Sequence, residues 1–482
     1  MVVLEGNTLL YTVTLLACLG FLLIGFDNGL MGGLVNGAAF DTTFNIDPKT
    51  TSGANLVALI VAIYEIGCFF GAITTSFIGE WLGRRRSIFI GVVIMIIGAL
   101  LQTTAYTSAH MIVARIVSGY GMGFINSTVP VMLSTLNFGI MMVYWIDYGF
   151  GSSTSGAGRS YSWRVPVILQ CIFLIPMLLI IALIPETPRW LTSHGQPDEA
   201  LEVLRRLNRR KMSDEAIVRM HEEIKNVVSY EASLNSGSWR DLLKNDEIQS
   251  QKRFLIACSI QAFQQLGGIN ALIYYSNTLF EQSIGLSSNL SALMSGFLNT
   301  WFFLASFIPW FLIDRIGRRP LLLSMVSLMA AVMATQTGLI YSVQNKLPNA
   351  HTCGIAAAAM LFIFQGAFTI GFQAVVWVYP SEVLPLKLRQ RGSSISTACN
   401  WICNFLIVYI TPPAIQNIGY KTYIIFAYLY YPETKGMLLE DVDRLFAKSD
   451  QTQRQMDFSG NDEKLGDVER QVESVDGKHI AD

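Results

Sequence analysis

Twelve apolar segments divide this sequence, and they limit the possible folds more than any other feature does. A helix needs ~20 apolar residues to cross the hydrocarbon core of a bilayer, and all but two of the segments reach that length. Hydrophobic residues make up 52% of the 482 residues and charged residues 14%. The sequence therefore predicts an all-α integral membrane protein. The candidate spans are 9–34, 54–79, 87–106, 108–130, 134–149, 164–184, 252–280, 291–313, 320–342, 352–379, 393–413 and 421–431.

Short basic clusters between the spans predict how the chain is oriented. Arginine and lysine residues cluster at 84–86, 315–319 and 387–391. All three clusters fall on one side of the membrane if every span crosses once. The positive-inside rule makes this side the cytoplasm, and both termini are then cytoplasmic as well. The topology is consistent with twelve spans in two groups of six.

Charge and cysteine usage exclude several classes of function. The net charge of −1 offers no electrostatic basis for binding nucleic acid. The seven cysteines show no metal-ligand spacing. The sequence also lacks a recognisable nucleophile–base–acid set and a phosphate-binding loop. We therefore expect a membrane protein in a lipid bilayer that is not an enzyme, has no cofactor and is a monomer.

Changes in composition predict four parts. Residues 1–184 would form an N-terminal bundle of six spans, and residues 252–436 a C-terminal bundle of six. The charged stretch 185–251 between them is patterned as a cytoplasmic helical linker, with helices opening near Pro197 and Asp214. The polar tail, 437–482, is predicted to be mostly disordered.

Two motifs occur once in each half of the chain. GEWLGRRRSIFIG (79–91) recurs as IDRIGRRPLLLSM (313–325), and PETPRWL (185–191) as PETKGML (432–438). Internal repeats in a membrane chain are typical of transporters, which hold substrate near the midplane between the repeats.

The stretch QQLGGINALIYYS (264–276) is unusually polar for a membrane span. Amide side chains in hydrocarbon are costly without partners, so these should face a cavity or another helix. Gly267 and Gly268 would let the helix bend or unwind beside that cavity. The alternative interpretation is ordinary hydrogen bonding between helices.

With VYPSEVLPLKLRQRG (378–392), these motifs make the chain resemble a sugar porter of the major facilitator superfamily, in a form similar to fungal sugar:proton symporters. The resemblance covers nearly all of residues 15–445 and implies two pseudo-symmetric six-helix bundles. It implies transport of a monosaccharide, in particular a hexose, by alternating access with proton symport in the plasma membrane. Facilitated diffusion, a disaccharide, polyol or quinate substrate, and a transport-inactive or sensor-like member remain alternatives.

The resemblance also implies a set of sugar-contacting residues. Amides can meet sugar hydroxyls as both donors and acceptors, and an indole can cover the apolar face of the ring. For each tryptophan, anchoring at the membrane interface is the alternative. The matching positions here are Gln264, Gln265, Asn270, Tyr274, Asn299, Trp377, Asn400 and Trp401.

Two ionisable residues inside the N-terminal spans match the proton-coupling positions of the family. Asp27 lies in the first span and Arg115 in the fourth. Charges inside a membrane are costly and are functional candidates by default. Burial favours a neutral acid whereas a nearby guanidinium favours the carboxylate, so a changing separation could bind and release a proton. A static ion pair is the alternative.

The basic and acidic residues of the repeated motifs match a cytoplasmic gate of salt bridges. Such a network, assembled in one state and broken in the other, would make alternating access bistable. The alternative interpretation is that the arginines of these motifs only set the orientation of the chain in the membrane. Glu80 and Trp81 stand where the family more commonly has Asp and Arg. The predicted gate residues are Arg84, Arg85, Glu186, Arg318, Arg319, Glu382, Arg391 and Glu433.

Two predicted spans are short. The chain passes directly from the fourth to the fifth span at 131–138, where the family has a longer loop and a sugar-contacting glutamine. The last segment, 421–431, would give a helix of only ~16 Å against a core of ~30 Å. We therefore expect truncated fifth and twelfth spans, caused either by an altered gene model or by divergence of the protein.

Overall fold

A computed structural model describes most of the chain and contains helices but no strand among the described residues. The described helices all belong to one unit, which ends at Tyr431. The predicted tail and Glu433 lie outside the described residues. The residues described are 4–35, 37–47, 50–128, 133–153, 160–209, 211–233, 242–243, 249–377, 379–384 and 388–426.

Eight helices form the N-terminal half of the unit. The first five predicted spans correspond to α1, α3, α4, α5 and α6, and the sixth to α7 followed directly by α8. The bounds are α1 Gly6–Leu34, α2 Ala38–Phe44, α3 Thr51–Leu82, α4 Arg84–Thr103, α5 Ser108–Thr128, α6 Leu133–Ser153, α7 Tyr161–Leu169 and α8 Cys171–Leu183.

Three helices follow in the linker: α9 (Pro188–Ser193), α10 (Pro197–Leu207) and α11 (Asp214–Ser233). The predicted helix starts at Pro197 and Asp214 are confirmed. A proline at the first position of α9 and of α10 suits a helix start, because its missing N–H would have had no helical partner there. The linker contacts the N-terminus of the chain, where the guanidinium of Arg206 donates to the Leu4 carbonyl oxygen at 3.1 Å.

The C-terminal half contains the seventh to eleventh predicted spans and the start of the twelfth. The chain is helical again from Lys421 to Phe426, its last described residue. The bounds are α12 Ser250–Leu266, α13 Ile269–Thr278, a π-helix Leu279–Ser283, α14 Ser288–Ala305, α15 Pro309–Ile316, α16 Arg318–Gln344, α17 Ala350–Ala367, a π-helix Phe368–Gln373, α18 Ala374–Val376, α19 Tyr379–Val383 and α20 Arg389–Ile418.

Eight helical stretches among the described residues are long and apolar enough to cross a membrane. Four lie in each half, and several carry exposed apolar side chains of the kind that face lipid, such as Leu179 and Ile410. These features identify a multi-pass membrane protein. The eight stretches are Gly6–Leu34, Thr51–Leu82, Arg84–Thr103, Tyr161–Leu183, Ser288–Ile313, Pro320–Gln344, Ala350–Gln373 and Arg391–Ile418.

The two halves meet along two pairs of spans. The second span (α3) packs along the eleventh (α20), and the fifth (α6) packs against the eighth (α14). The first span also contacts α13, the later part of the seventh span. These contacts bring the polar residues of α13 and α20 next to the N-terminal half.

The seventh span breaks at its paired glycines, as predicted. α12 ends at Leu266 and α13 begins at Ile269, while Gly268 takes a left-handed conformation with φ +84°. A Cβ atom there would lie 2.7 Å from the Phe426 ring. Only glycine supplies both this backbone conformation and this clearance.

The repeated motif adopts the same backbone conformation in both halves. Gly83 (φ 82°, ψ 169°) caps α4, and Gly317 (φ 86°, ψ 158°) caps α16. Residues with a side chain rarely adopt this region of backbone φ and ψ, so each repeat needs its glycine. The duplication seen in the sequence is therefore a duplication of local structure.

The fifth span is longer than predicted. The sequence suggested 134–149, but α6 has 21 residues, or ~31 Å of helix at 1.5 Å per residue, which matches a core of ~30 Å. The helix therefore continues past the predicted end of the span, as far as Ser153. It is not among the described helices that are both long and apolar enough to cross a membrane. Of the twelfth predicted span, 427–431 lies outside the described residues.

Glycines let α3 and α5 approach closely. A Cβ atom on Gly119 would lie 2.1 Å from the Tyr64 carbonyl oxygen, and one on Gly123 would lie 2.5 Å from that of Cys68. Small residues allow close contact between membrane helices, and the spaced glycines of GYGMGF (119–124) provide it here. This contact sets the position of Arg115, one turn before Gly119.

Gly119→Ala should therefore destabilise the protein, since its methyl group would push α5 away from α3 at a cost of ~1–3 kcal/mol. We expect a lower apparent melting temperature for the purified protein in detergent. Gly338→Ala is the control, because a Cβ atom there meets no atom within 4 Å. Equal melting temperatures for the two variants would contradict the proposed close contact.

Candidate functional site

Six amide side chains of the seventh and eleventh spans form one hydrogen-bonded group, which we call the amide cluster. Asn400 is its centre: its Nδ2 donates to Gln261 Oε1 (2.7 Å) and to Gln264 Oε1 (3.0 Å). Its Oδ1 accepts from Gln265 Nε2 at 3.0 Å. The members of the cluster are Gln261, Gln264, Gln265, Asn270, Asn400 and Asn404.

Asn270 extends the cluster across the break in the seventh span. Its Nδ2 donates to Gln265 Oε1 (2.6 Å) and to Asn404 Oδ1 (2.7 Å). All six side chains are buried. Burial of so many amides is tolerable because the amides satisfy one another.

The structure brings together four of the predicted sugar-contacting residues: Gln264, Gln265, Asn270 and Asn400. Sequence reasoning missed Gln261 and Asn404. Each lies three or four residues from a predicted member, which places it on the same helix face. That spacing was the available signal.

Tyr274 connects the C-terminal half to the N-terminal half. Its hydroxyl oxygen lies 2.6 Å from Glu65 Oε1 on α3 and 3.2 Å from Asn28 Oδ1 on α1. One residue earlier, the Ile273 carbonyl oxygen accepts from the Tyr144 hydroxyl on α6. The later part of the seventh span is thus held against the first, second and fifth spans.

Asp27 and Arg115 form a fully buried ion pair, with 3.4 Å between Oδ1 and Nη1. The guanidinium also donates to the Val61 carbonyl oxygen at 3.3 Å and lies 4.4 Å from the centre of the Tyr64 ring. The predicted pairing is therefore present. A single direct bond joins the two charges, and Asp27 Oδ2 has no hydrogen-bond partner among the described residues.

Besides Tyr274, three predicted sugar-contacting residues lie outside the amide cluster. The Nδ2 of Asn299 donates to the Ser295 carbonyl oxygen of its own helix at 2.9 Å. Trp401 is buried and Trp377 is half-buried. A role in a sugar pocket stays a prediction for all eight residues, including those of the amide cluster.

In the N-terminal half, the predicted gate residues cap two helices reciprocally. The Glu186 carboxylate accepts from the backbone N–H groups of Arg84 and Arg85 at 3.1 Å, at the start of α4. The Arg85 guanidinium donates to the Ile181 carbonyl oxygen at 2.9 Å, near the end of α8. An acid at a helix N-terminus and a base at a C-terminus are both favourable.

The other predicted gate residues are described only in part. Arg391 on α20 lies 3.9 Å from Glu80 at the end of α3, which is a contact between the halves. Glu80 thus supplies a carboxylate to this contact. Arg318 is exposed. The side chains of Arg319 and Glu382, and all of Glu433, lie outside the described residues.

A reciprocal amide pair joins the halves between the fifth and tenth spans. Asn137 Nδ2 donates to Gln373 Oε1 at 3.0 Å, and Gln373 Nε2 donates to Asn137 Oδ1 at 2.8 Å. The sequence analysis missed this pair, because neither residue lies in a motif. Only the fold brings them together.

Comparisons with known proteins agree with this architecture. Residues 13–446 match the family model described as "Sugar (and other) transporter". The chain is 35% identical to the sugar transporter STL1 of Saccharomyces cerevisiae, over 92% of this chain and 83% of that protein. It is 34% identical to the MFS-type transporter oryC of Aspergillus oryzae, over 92% and 86%. A solved structure of the proton:xylose symporter XylE bound to 6-bromo-6-deoxy-D-glucose superimposes with a TM-score of 0.73 at 22% identity, over 90% of this chain and 96% of that one.

Asn400→Ala should destabilise the protein in the absence of any sugar, because it leaves the amides of three buried glutamines short of partners, at ~1–3 kcal/mol. The measurement is the apparent melting temperature of the purified protein. Asn417→Ala, on the same helix, is the control, since that exposed amide donates only to its own helix at Pro413. Equal melting temperatures for the two variants would contradict the proposed contribution of the cluster to stability.

Proposed function

The chain belongs to the sugar transporter family, and from this premise we propose that it carries a monosaccharide, in particular a hexose, across a membrane by alternating access. Members of this family are transporters, so the protein is a multi-pass membrane transporter and not an enzyme. The amide cluster is the observation that carries the proposal for the substrate.

The chemistry of the cluster suits a polyhydroxylated solute. Each amide offers a donor and an acceptor, and each sugar hydroxyl offers both as well. The amides now bond to one another, so an entering sugar would replace these bonds with bonds of its own. A solute without hydroxyls would leave buried amides unpaired, at ~1–3 kcal/mol each. This penalty would select against apolar solutes.

The six amides of the cluster are uncharged, which favours a neutral sugar or polyol over quinate. A carboxylate substrate would need a cation or several donors to replace its hydration. Among the described residues, the cation near the site is Arg115, and it is already bound to Asp27.

Alternating access would move the N-terminal bundle, 1–184, against the C-terminal bundle, 252–436. On the side of the GRR loops, the contacts Glu80–Arg391 and Asn137–Gln373 join the halves. Beyond the amide cluster, Tyr274 joins them through Glu65 and Asn28. Each set would break when its own side opens. The GRR side and both termini would face the cytoplasm, with the plasma membrane as the proposed location.

Proton symport is supported by the Asp27–Arg115 pair. Its single bond and complete burial mean that a small separation of α1 from α5 would favour a protonated, neutral Asp27. The structural similarity to a protein described as a proton:xylose symporter supports the same proposal.

Uptake of a labelled panel of hexoses, pentoses, disaccharides, polyols and quinate tests the proposal in cells lacking their own transporters. We expect uptake of at least one hexose, and a proton uncoupler should abolish its accumulation. Uptake that the uncoupler does not affect would identify a facilitative carrier. No uptake of any solute would contradict transport and favour an inactive or sensor-like protein.

Asp27→Asn should abolish accumulation against a gradient while sparing exchange of sugar between the two sides. The substitution keeps the shape of the side chain but cannot bind and release a proton. Counterflow of labelled sugar in proteoliposomes measures exchange, and accumulation under an imposed proton gradient measures coupling. Uphill accumulation by the variant would rule out Asp27 as the coupling group.

A further inference from the structure

Glu65 is a fully buried carboxyl of the second span that lies between the ion pair and the amide cluster. Its Oε1 is 2.6 Å from the Tyr274 hydroxyl. Its Oε2 has no hydrogen-bond partner among the described residues. Tyr274 lies on α13, the helix that also carries Asn270 of the amide cluster.

Among the described residues, no cation forms an ion pair with this carboxyl, although Arg115 lies close enough to interact with it electrostatically. No lysine, arginine or histidine nitrogen of the described residues lies within 4.0 Å of it, and Arg115 is bound to Asp27. The residue of α20 that faces Glu65 is the uncharged Asn404. The charged residues of α4 lie at the start of that helix, beside the GRR loop and far from Glu65. The titratable and charged side chains around it are Asp27 from α1, Arg115 from α5, Tyr274 from α13, and Tyr64 and Cys68 from α3.

The protons around Tyr274 can be counted. Its hydroxyl carries one proton but faces two acceptor oxygens, Glu65 Oε1 at 2.6 Å and Asn28 Oδ1 at 3.2 Å. With the Asn28 amide oxygen facing Tyr274, as it does here, an ionised Glu65 would allow only one of the two bonds to form. If Glu65 carries a proton, the acid donates to the Tyr274 oxygen and Tyr274 donates to Asn28, so both bonds form. Burial without an ion-pair partner also favours the neutral acid, because a charge inside the membrane is costly.

We propose that Glu65 holds a proton in this conformation and is a second protonatable carboxyl of the transport cycle, which transmits its protonation state to the seventh span through Tyr274. When the proton leaves, the carboxylate becomes an acceptor that takes the Tyr274 proton away from Asn28. The contact between the seventh and first spans then loses a bond. The coupling to transport rests on the proposed function, whereas the protonation of Glu65 does not.

Infrared spectroscopy of the purified full-length protein tests the protonation without any sugar. At neutral pH, the difference between wild type and Glu65→Gln should contain the C=O stretching band of a protonated carboxylic acid, shifted in D₂O. Glu199→Gln, which removes an exposed linker carboxyl, is the control and should leave that band unchanged. A difference spectrum that shows only the loss of carboxylate bands would overturn the proposal.

The pH dependence of glucose binding to the purified protein tests the coupling. If the protonated form of Glu65 supports binding, affinity falls as pH rises above its titration midpoint, by about tenfold per pH unit for one proton. Glu65→Gln imitates the neutral acid permanently. We therefore expect its glucose affinity to fall less steeply with pH than that of the wild type, by about tenfold per pH unit. Equal slopes would overturn the coupling. Absence of glucose binding at any pH would instead contradict the hexose proposal, and the infrared result would still decide whether Glu65 is protonated.

Discussion

The structure depends on one constraint, which is the cost of leaving a polar side chain inside the hydrocarbon without a hydrogen-bond partner. Asn400 shows how the chain meets it, because this one amide bonds to three glutamines of the seventh span. These bonds fix α12 against α20 and leave the amides in one group. A group that is satisfied by its own members can exchange those bonds for bonds to a solute of matching chemistry. The same constraint therefore accounts for both the packing of the C-terminal half and its proposed selectivity.

The N-terminal half meets the constraint with charges. Arg115 can be buried because the glycines of α5 bring it close to α3, where the Val61 carbonyl and the Tyr64 ring complete its surroundings. Asp27 supplies the opposite charge from α1. Glu65 has no such cation, which is why its protonation matters. Tyr274 then joins this charged region to the amide cluster across the boundary between the halves.

Much of this was readable in the sequence, and the omissions have physical causes. The break at Gly267 and Gly268, the pairing of Asp27 with Arg115 and four cluster amides follow from rules that concern single helices or motifs. Glu65 was missed although an acid inside an apolar run is itself a signal. The pairing of Asn137 with Gln373 had no local signal, because it depends on how two distant helices meet. The length of α6 was underestimated because its polar end, near Ser153, is continuous with the helix but not apolar.

Direct binding of glucose to the purified protein is the measurement that bears most closely on the amide cluster as the substrate site. Isothermal titration calorimetry would compare wild type with the variant Gln264→Leu/Gln265→Leu, which removes two amides while keeping the volume of their side chains. Two hydrogen bonds at ~0.5–1.5 kcal/mol each correspond to at least a several-fold loss of affinity. The account predicts saturable binding by wild type and a loss of about tenfold or more in the variant. Unchanged affinity in a folded variant would show that the sugar binds elsewhere.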